Sequence, residues 1–319
     1  MAQIMVGGGY IAKIVYTIRV YAVPIFMTKS FYLETCMFEM NNNEKYKKRL
    51  KFLLVPYIFW ALISFLSFNL IYYLMGHPLI DLKGLLLQIL FGHSYLTVLW
   101  FQFDIIILTL LFILFYKHFN KKTIQILLTV LILISYILQY TEINYALFCD
   151  LPFEIKYPLG RIFEVLPFAC FGIILRYFQA AKKDALKKYS LDNNAFFKYI
   201  GLLLLCAGFF LSKISVNNHF GYAGIDKAII SIGVLLFFIN LQIYNSTKVQ
   251  TTIEYLGKYT LGVYFMHLFW GMIITTVFSK LGIPLYTIFE CIIIYITCYI
   301  VSLLITKVFG KIKWIKYIV

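Results

Sequence analysis

The chain has 319 residues, of which 62% are hydrophobic and only 13% are charged, and its formal net charge is +15. The charged share is about half that of soluble globular domains, and the mean hydropathy is +0.83, so a soluble fold is excluded. The apolar runs are unbroken rather than alternating, which also excludes a membrane β-barrel. We therefore predict an all-α protein, a polytopic bundle of transmembrane helices.

The apolar runs are about 20 residues long, enough to cross the hydrocarbon layer of a membrane. We predict nine spans, at 16–33, 52–75, 95–116, 123–141, 161–179, 197–212, 225–245, 260–279 and 284–308. A shorter apolar piece at 82–92 cannot cross, and we expect it to lie at the interface or to re-enter the membrane. No soluble domain stands out, so residues 1–319 are predicted to form a single membrane-embedded domain.

The positive charges concentrate in alternate loops, as the positive-inside rule predicts for a multi-pass protein. Basic clusters lie at 45–51, 182–188 and 307–316, which places the C-terminus in the cytoplasm and, with nine spans, the N-terminus outside. Because topology and contact with membrane lipids explain these charges, we expect no nucleic-acid partner.

Ionisable groups within a span are costly to bury, so each is a hypothesis for a functional site. Asp104, near the middle of its span, either orients a base or binds substrate, or it belongs to an internal ion pair. Arg161 and Glu164 are three residues apart and share a helix face. They either neutralise each other or hold a sugar or phosphate group.

Two further residues have open alternatives. Arg49, at the start of a span and among lysines, either anchors that span or binds phosphates of a nucleotide-containing donor. His267 lies in an apolar and aromatic run, where it is either a general base or a hydrogen-bonded packing histidine, and the residues alone favour packing. The other histidines have no second ligand at helical spacing, so no metal site is expected.

Five phrases resemble, in order, segments of the acyltransferase-3 family of membrane acyltransferases. They are AVPIFMTKSFYL (22–33), KKRLKFLLVPYIFW (47–60), LWFQFDIIIL (99–108), LPFACFGIIL (166–175) and LGKYTLGVYFMH (256–267). Their order and spacing agree with the family over nearly the whole chain, and this agreement is more specific than any single phrase.

The resemblance implies an enzyme of a bacterial-type plasma (inner) membrane. Such an enzyme transfers an acyl group, usually acetyl, from cytoplasmic acetyl-CoA or another acyl-CoA to a hydroxyl of a cell-surface glycan or glycolipid. By position, Arg49 would help hold the CoA phosphates, Trp100 and Asp104 would line a central cavity, and His267 would lie in the core of the penultimate helix. The candidate catalytic residues are therefore Asp104 and His267, and the candidate substrate-binding residues are Arg49, Trp100, Arg161 and Glu164.

The chain departs from the family at its start. The family's first helix carries a histidine that serves as the base, whereas no histidine precedes His77 here. The resemblance therefore implies a chain that lacks this helix, and one added helix would return the N-terminus to the cytoplasm. The SG pair of the first phrase also falls at Lys29–Ser30 and lacks its glycine. Two other hypotheses stay open: a transporter or flippase for glycan intermediates, and a non-catalytic remnant that binds a partner.

Overall fold

A computed structural model describes residues 10–40, 42–74, 76–92, 99–140, 153–188, 193–214, 224–240, 247–282 and 288–311. Within these ranges the chain is helical and contains no strand, which confirms the all-α prediction. The helices are α1 (Tyr10–Glu39), α2 (Asn43–Leu74), α3 (Leu82–Phe91), α4 (Leu99–His118), α5 (Lys121–Tyr140), α6 (Phe153–Lys188), α7 (Asn193–Ile214), α8 (Ile225–Ile239), α9 (Thr247–Lys280) and α10 (Ile288–Lys311).

Five of these helices, α2 and α4 to α7, contain segments long and apolar enough to cross a membrane. The segments are Asn43–Leu70, Leu99–His118, Lys121–Gln139, Ile155–Lys182 and Asn194–Ser212. Each overlaps one predicted span. The other four predicted spans fall on α1, α8, α9 and α10, and α8 has 15 residues, fewer than the roughly 20 that a crossing helix needs. The structure thus supports a multi-pass helical membrane protein, and the count of nine stays a prediction.

The short apolar piece forms α3, a helix of 10 residues. The Asp81 side chain caps its start by accepting a bond from the Gly84 N–H at 2.8 Å, and Gly92 ends it in the left-handed region at φ 62°, where glycine is favoured. The Tyr57 hydroxyl of α2 donates to the Ile89 carbonyl at 2.9 Å. This contact holds α3 against α2.

The chain forms two compact units. Unit one comprises the start of α1 together with Lys51–Phe103 and Ile243–Val319, and unit two comprises Ile18–Leu50 and Asp104–Gln242. The prediction of a single domain concerns the chain as a whole and stays a prediction.

Unit two is organised around α6, which packs against α5, α7 and α8, while α7 packs against α8. Small residues allow these helices to approach closely, as is usual in membrane bundles. A Cβ on Gly172 of α6 would overlap the backbone carbonyl of Thr28 on α1. A Cβ on Gly233 of α8 would lie 3.0 Å from the Gly201 carbonyl of α7. Glycine therefore determines how closely these helices pack.

Unit one joins α2, α4, α9 and α10. The Trp60 ring of α2 stacks on Phe265 of α9 with ring centroids 5.6 Å apart. The Gln102 amide of α4 donates to the Leu53 carbonyl of α2 at 3.2 Å, and α9 packs against α10. These contacts place the aromatic run around His267 within a packed group of helices.

Candidate functional site

Unit two buries a group of charged side chains on α4, α6 and α8. Asp104 is 0% exposed, Arg161 is 7% exposed and Lys227 is 4% exposed, and Glu164 is half-buried. The Arg161 Nη2 atom lies 3.6 Å from Asp104 Oδ1. Glu164 is close enough to Asp104, Arg161 and Lys227 to interact electrostatically with each. We call these four residues the buried charge cluster. Its two carboxylates and two cationic side chains give it no net formal charge.

Asp104 has unused hydrogen-bonding capacity. Both of its carboxylate oxygens are buried, and neither accepts a hydrogen bond from the part of the chain that the structure describes. Buried carboxylates normally accept several bonds, because unmet acceptors in a low-dielectric interior are destabilising. The Arg161 charge at 3.6 Å offsets the buried negative charge and leaves the lone pairs able to accept donors such as hydroxyl groups.

The structure brings together three of the residues selected from sequence: Asp104, Arg161 and Glu164. The ion pair expected as one alternative for Asp104 is present, and its partner is Arg161 of another helix. The Arg161 guanidinium also lies over the Tyr157 ring, with Cζ 5.0 Å from the centroid. These two contacts fix its orientation.

Arg49 makes an ion pair with Glu34 of α1 through Nη2. The Glu34 carboxylate also accepts bonds from Thr109 Oγ1 at 3.1 Å and from Ser30 Oγ at 3.5 Å. Glu34 is 6% exposed and the Arg49 side chain is 23% exposed. Arg49 is therefore paired within the protein, and its side chain is still partly exposed.

His267 and Trp100 belong to unit one. The His267 Nδ1 atom lies 2.6 Å from the Tyr264 carbonyl and 3.3 Å from the Val263 carbonyl. A carbonyl only accepts, so Nδ1 carries the proton and Nε2 has the lone pair. No hydrogen bond to Nε2 occurs among the described residues. Trp100 is half-buried at the start of α4, and the next residue, Phe101, contacts the Tyr264 ring at 5.6 Å.

Sequence reasoning missed Glu34 and the burial of Lys227. Glu34 lies one residue beyond the predicted first span, whereas α1 continues to Glu39, so the carboxylate is inside a helix bundle. Lys227 and the neighbouring Asp226, at the start of the span predicted at 225–245, are both buried. Asp226 Oδ2 accepts a bond from the Tyr21 hydroxyl at 3.4 Å. The sequence signal that could have identified Glu34 is an acidic residue in a stretch that is otherwise mostly apolar.

No group of three or more histidine, cysteine or acidic side chains among the described residues is arranged to hold a metal ion.

Comparison with known proteins gives one match. A family model described as "Acyltransferase domain" matches residues 3–307. No curated protein matches the chain, and no solved structure does. The matched region contains the buried charge cluster, the Arg49–Glu34 pair, Trp100 and His267, so the family model covers every candidate site residue.

Proposed function

The chain belongs to the acyltransferase-3 family, and on that premise we propose that it transfers an acyl group, probed first as acetyl, from cytoplasmic acyl-CoA to a hydroxyl of a cell-surface glycan or glycolipid. The observation that carries this proposal is the family match over residues 3–307, which confirms the resemblance of the five ordered phrases. The five apolar helices support a location in a membrane. The proposed topology has nine spans, a cytoplasmic C-terminus and a bacterial-type inner membrane.

The proposed reaction is an acyl transfer from a thioester. The acceptor hydroxyl oxygen attacks the thioester carbonyl carbon, so that a C–O bond forms and the C–S bond breaks. The hydroxyl proton passes to a base and then to the leaving thiolate, which departs as a thiol. We assign the base role to His267, because its Nδ1 donates to the Tyr264 carbonyl and the lone pair on Nε2 of a neutral imidazole can accept a proton.

The buried charge cluster is proposed to bind the acceptor. Glycan hydroxyls donate hydrogen bonds, and both Asp104 oxygens can accept them. Arg161 pairs with the Asp104 carboxylate, and the Glu164 carboxylate on the same helix can accept further hydroxyl bonds. Trp100 offers an aromatic surface, which suits stacking against a sugar ring.

The donor is proposed to bind through Arg49. Lys45, Lys47 and Lys48 are exposed on the same stretch of chain, and clustered cations attract phosphates. A guanidinium among them can donate to phosphate oxygens with defined geometry.

The test is the acetyl content of surface glycan. Three strains are compared: one without the gene, one complemented with this chain, and one complemented with Asp104→Asn. The proposal expects acetyl-CoA-dependent acetylation only with the unaltered chain. Equal acetylation in all three strains refutes it, and transport of glycan intermediates without any acetylation would instead favour a flippase.

A further inference from the structure

Glu34 is a side chain that the resemblance to the family does not single out. We propose that Glu34 is a positioning residue, whose carboxylate holds the Arg49 guanidinium in the orientation that receives a phosphate of the acyl donor. This inference rests on the proposed function and adds to it a residue that sets donor affinity.

The burial of Glu34 requires an explanation. A carboxylate that is 6% exposed is destabilising unless it is paired and hydrogen-bonded. Its donors come from three helices: Ser30 of α1, Arg49 of α2 and Thr109 of α4. Glu34 therefore links the start of α2, which belongs to unit two and carries Arg49, to α1 and to the Thr109 region of α4.

The two carboxylate oxygens have separate tasks. Oε1 accepts from Arg49 and Ser30, while Oε2 accepts from Thr109. A glutamine is neutral, and its amide nitrogen donates instead of accepting, so it would bind Arg49 without a negative charge and could contact Thr109 only if that hydroxyl accepted. Only a carboxylate offers Arg49 a negative charge and accepts from the Thr109 hydroxyl at once.

Arg49 keeps donors for a ligand. Of its five N–H donors, the described contacts to Glu34 and Ser30 use only Nη2. The Nε–H is buried and makes no hydrogen bond among the described residues, whereas the side chain as a whole is 23% exposed and so remains partly accessible from outside the bundle. The Arg49 guanidinium is therefore oriented by Glu34 and still has N–H donors that no described contact uses.

The negative charge of Glu34 and its orienting effect on Arg49 should change the affinity for the donor in opposite directions. A carboxylate in contact cancels much of the Arg49 field, so long-range attraction of phosphate comes mainly from Lys45, Lys47 and Lys48. If the charge of Glu34 were its main effect, removing it would tighten donor binding. If orientation is its main effect, removal weakens binding, because the freed guanidinium must then be ordered by the ligand.

The experiment uses the full chain, purified in detergent, as wild type and as Glu34→Gln. The KM is measured for acetyl-CoA and for acetyl-pantetheine, a donor without phosphates, and the Kd is measured for CoA. We expect Glu34→Gln to raise the KM for acetyl-CoA and the Kd for CoA about five-fold, as a charge-assisted bond becomes a neutral one. The KM for acetyl-pantetheine should stay unchanged.

Glu39→Gln is the matched control. Glu39 lies on the same helix, is 40% exposed and pairs with Lys121 at 3.4 Å, so its loss should change neither constant. Equal or tighter CoA binding by Glu34→Gln overturns the inference, as does an equal loss with acetyl-pantetheine, which would indicate general disruption. A wild-type chain that binds CoA but transfers nothing contradicts the proposed function alone, and the Kd comparison still tests Glu34.

Discussion

Unit two contains two arginine–carboxylate pairs that differ in how completely the acid is satisfied. Glu34 is bound by Arg49, Thr109 and Ser30. Asp104 is more deeply buried, yet its nearest cation is 3.6 Å away, and its oxygens accept no hydrogen bond from the described residues. A satisfied carboxylate fixes its partners, whereas an unsatisfied one keeps its lone pairs for a ligand. The comparison assigns positioning to Glu34 and substrate contact to Asp104.

The largest expected effect is on stability at the Asp104 pair. Arg161→Ala leaves a fully buried carboxylate without its cation, which should cost about 3 kcal/mol of unfolding free energy. Denaturant unfolding in detergent measures it. Adding Asp104→Asn to Arg161→Ala removes the uncompensated charge and should restore most of the loss. Equal stability of the single and double variants would show that the pair is not electrostatically coupled.

The next largest effect is on activity, where substitutions of Asp104 and of Glu34 should change different kinetic constants. Asp104→Asn replaces the carboxylate that is proposed to accept hydrogen bonds from the glycan hydroxyls, so it should lower kcat/KM for the acceptor about 100-fold, with little change in the Kd for CoA. Glu34→Gln should instead weaken donor binding. Steady-state kinetics with acceptor and acetyl-CoA varied in turn distinguish the two. A variant of Asp104 that changes only donor affinity would remove the distinction between the pairs.

A substitution at the contact between α1 and α6 should have an intermediate effect on stability. These two helices carry Glu34 and Arg161. Gly172→Ala would drive a methyl group into the Thr28 carbonyl and should destabilise the protein by about 2 kcal/mol. The control is Gly160→Ala on the same helix, where an added Cβ meets nothing within 4 Å. It should be neutral or stabilise by up to about 1 kcal/mol. Thermal unfolding in detergent compares them, and an equal response at both sites contradicts the close approach.

The smallest effect on stability is expected for the exposed ion pair between Glu39 of α1, the helix that carries Glu34, and Lys121 of α5. Glu39 and Lys121 are 40% and 60% exposed, so solvent screens their attraction. Glu39→Gln should change the unfolding free energy by less than about 0.5 kcal/mol. A loss as large as that of Arg161→Ala would mean that burial does not set the strength of these pairs.

The sequence predicts the membrane helices and most of the charged site residues, but not how those residues pair. Asp104, Arg161 and Glu164 stand out because charges within apolar runs are rare. The match between Asp104 and Arg161 depends on how α4 packs beside α6, and local spacing carries no information on that. Spacing within one helix instead suggested Arg161 with Glu164.

Glu34 shows a second limit of prediction from the sequence. The span predicted at 16–33 ends where hydropathy falls, but α1 runs on for several residues to Glu39. Neighbouring helices supply Arg49 and Thr109, and these contacts make burial of the carboxylate tolerable. Hydropathy measures transfer of a side chain alone, so it cannot register a polar group that is buried because its partners are buried with it.

The most direct test of the proposed acyl transfer is a labelling assay with the purified chain in lipid vesicles, given acetyl-CoA labelled in the acetyl group and a hydroxyl-bearing glycan or glycolipid acceptor. We predict ester-linked label on the acceptor with the unaltered chain and, at low acceptor concentration, about 100-fold less with Asp104→Asn, because the hydrogen bonds from the acceptor hydroxyls to the carboxylate are lost. Labelling that is the same with the unaltered chain, with Asp104→Asn and with empty vesicles would contradict the account.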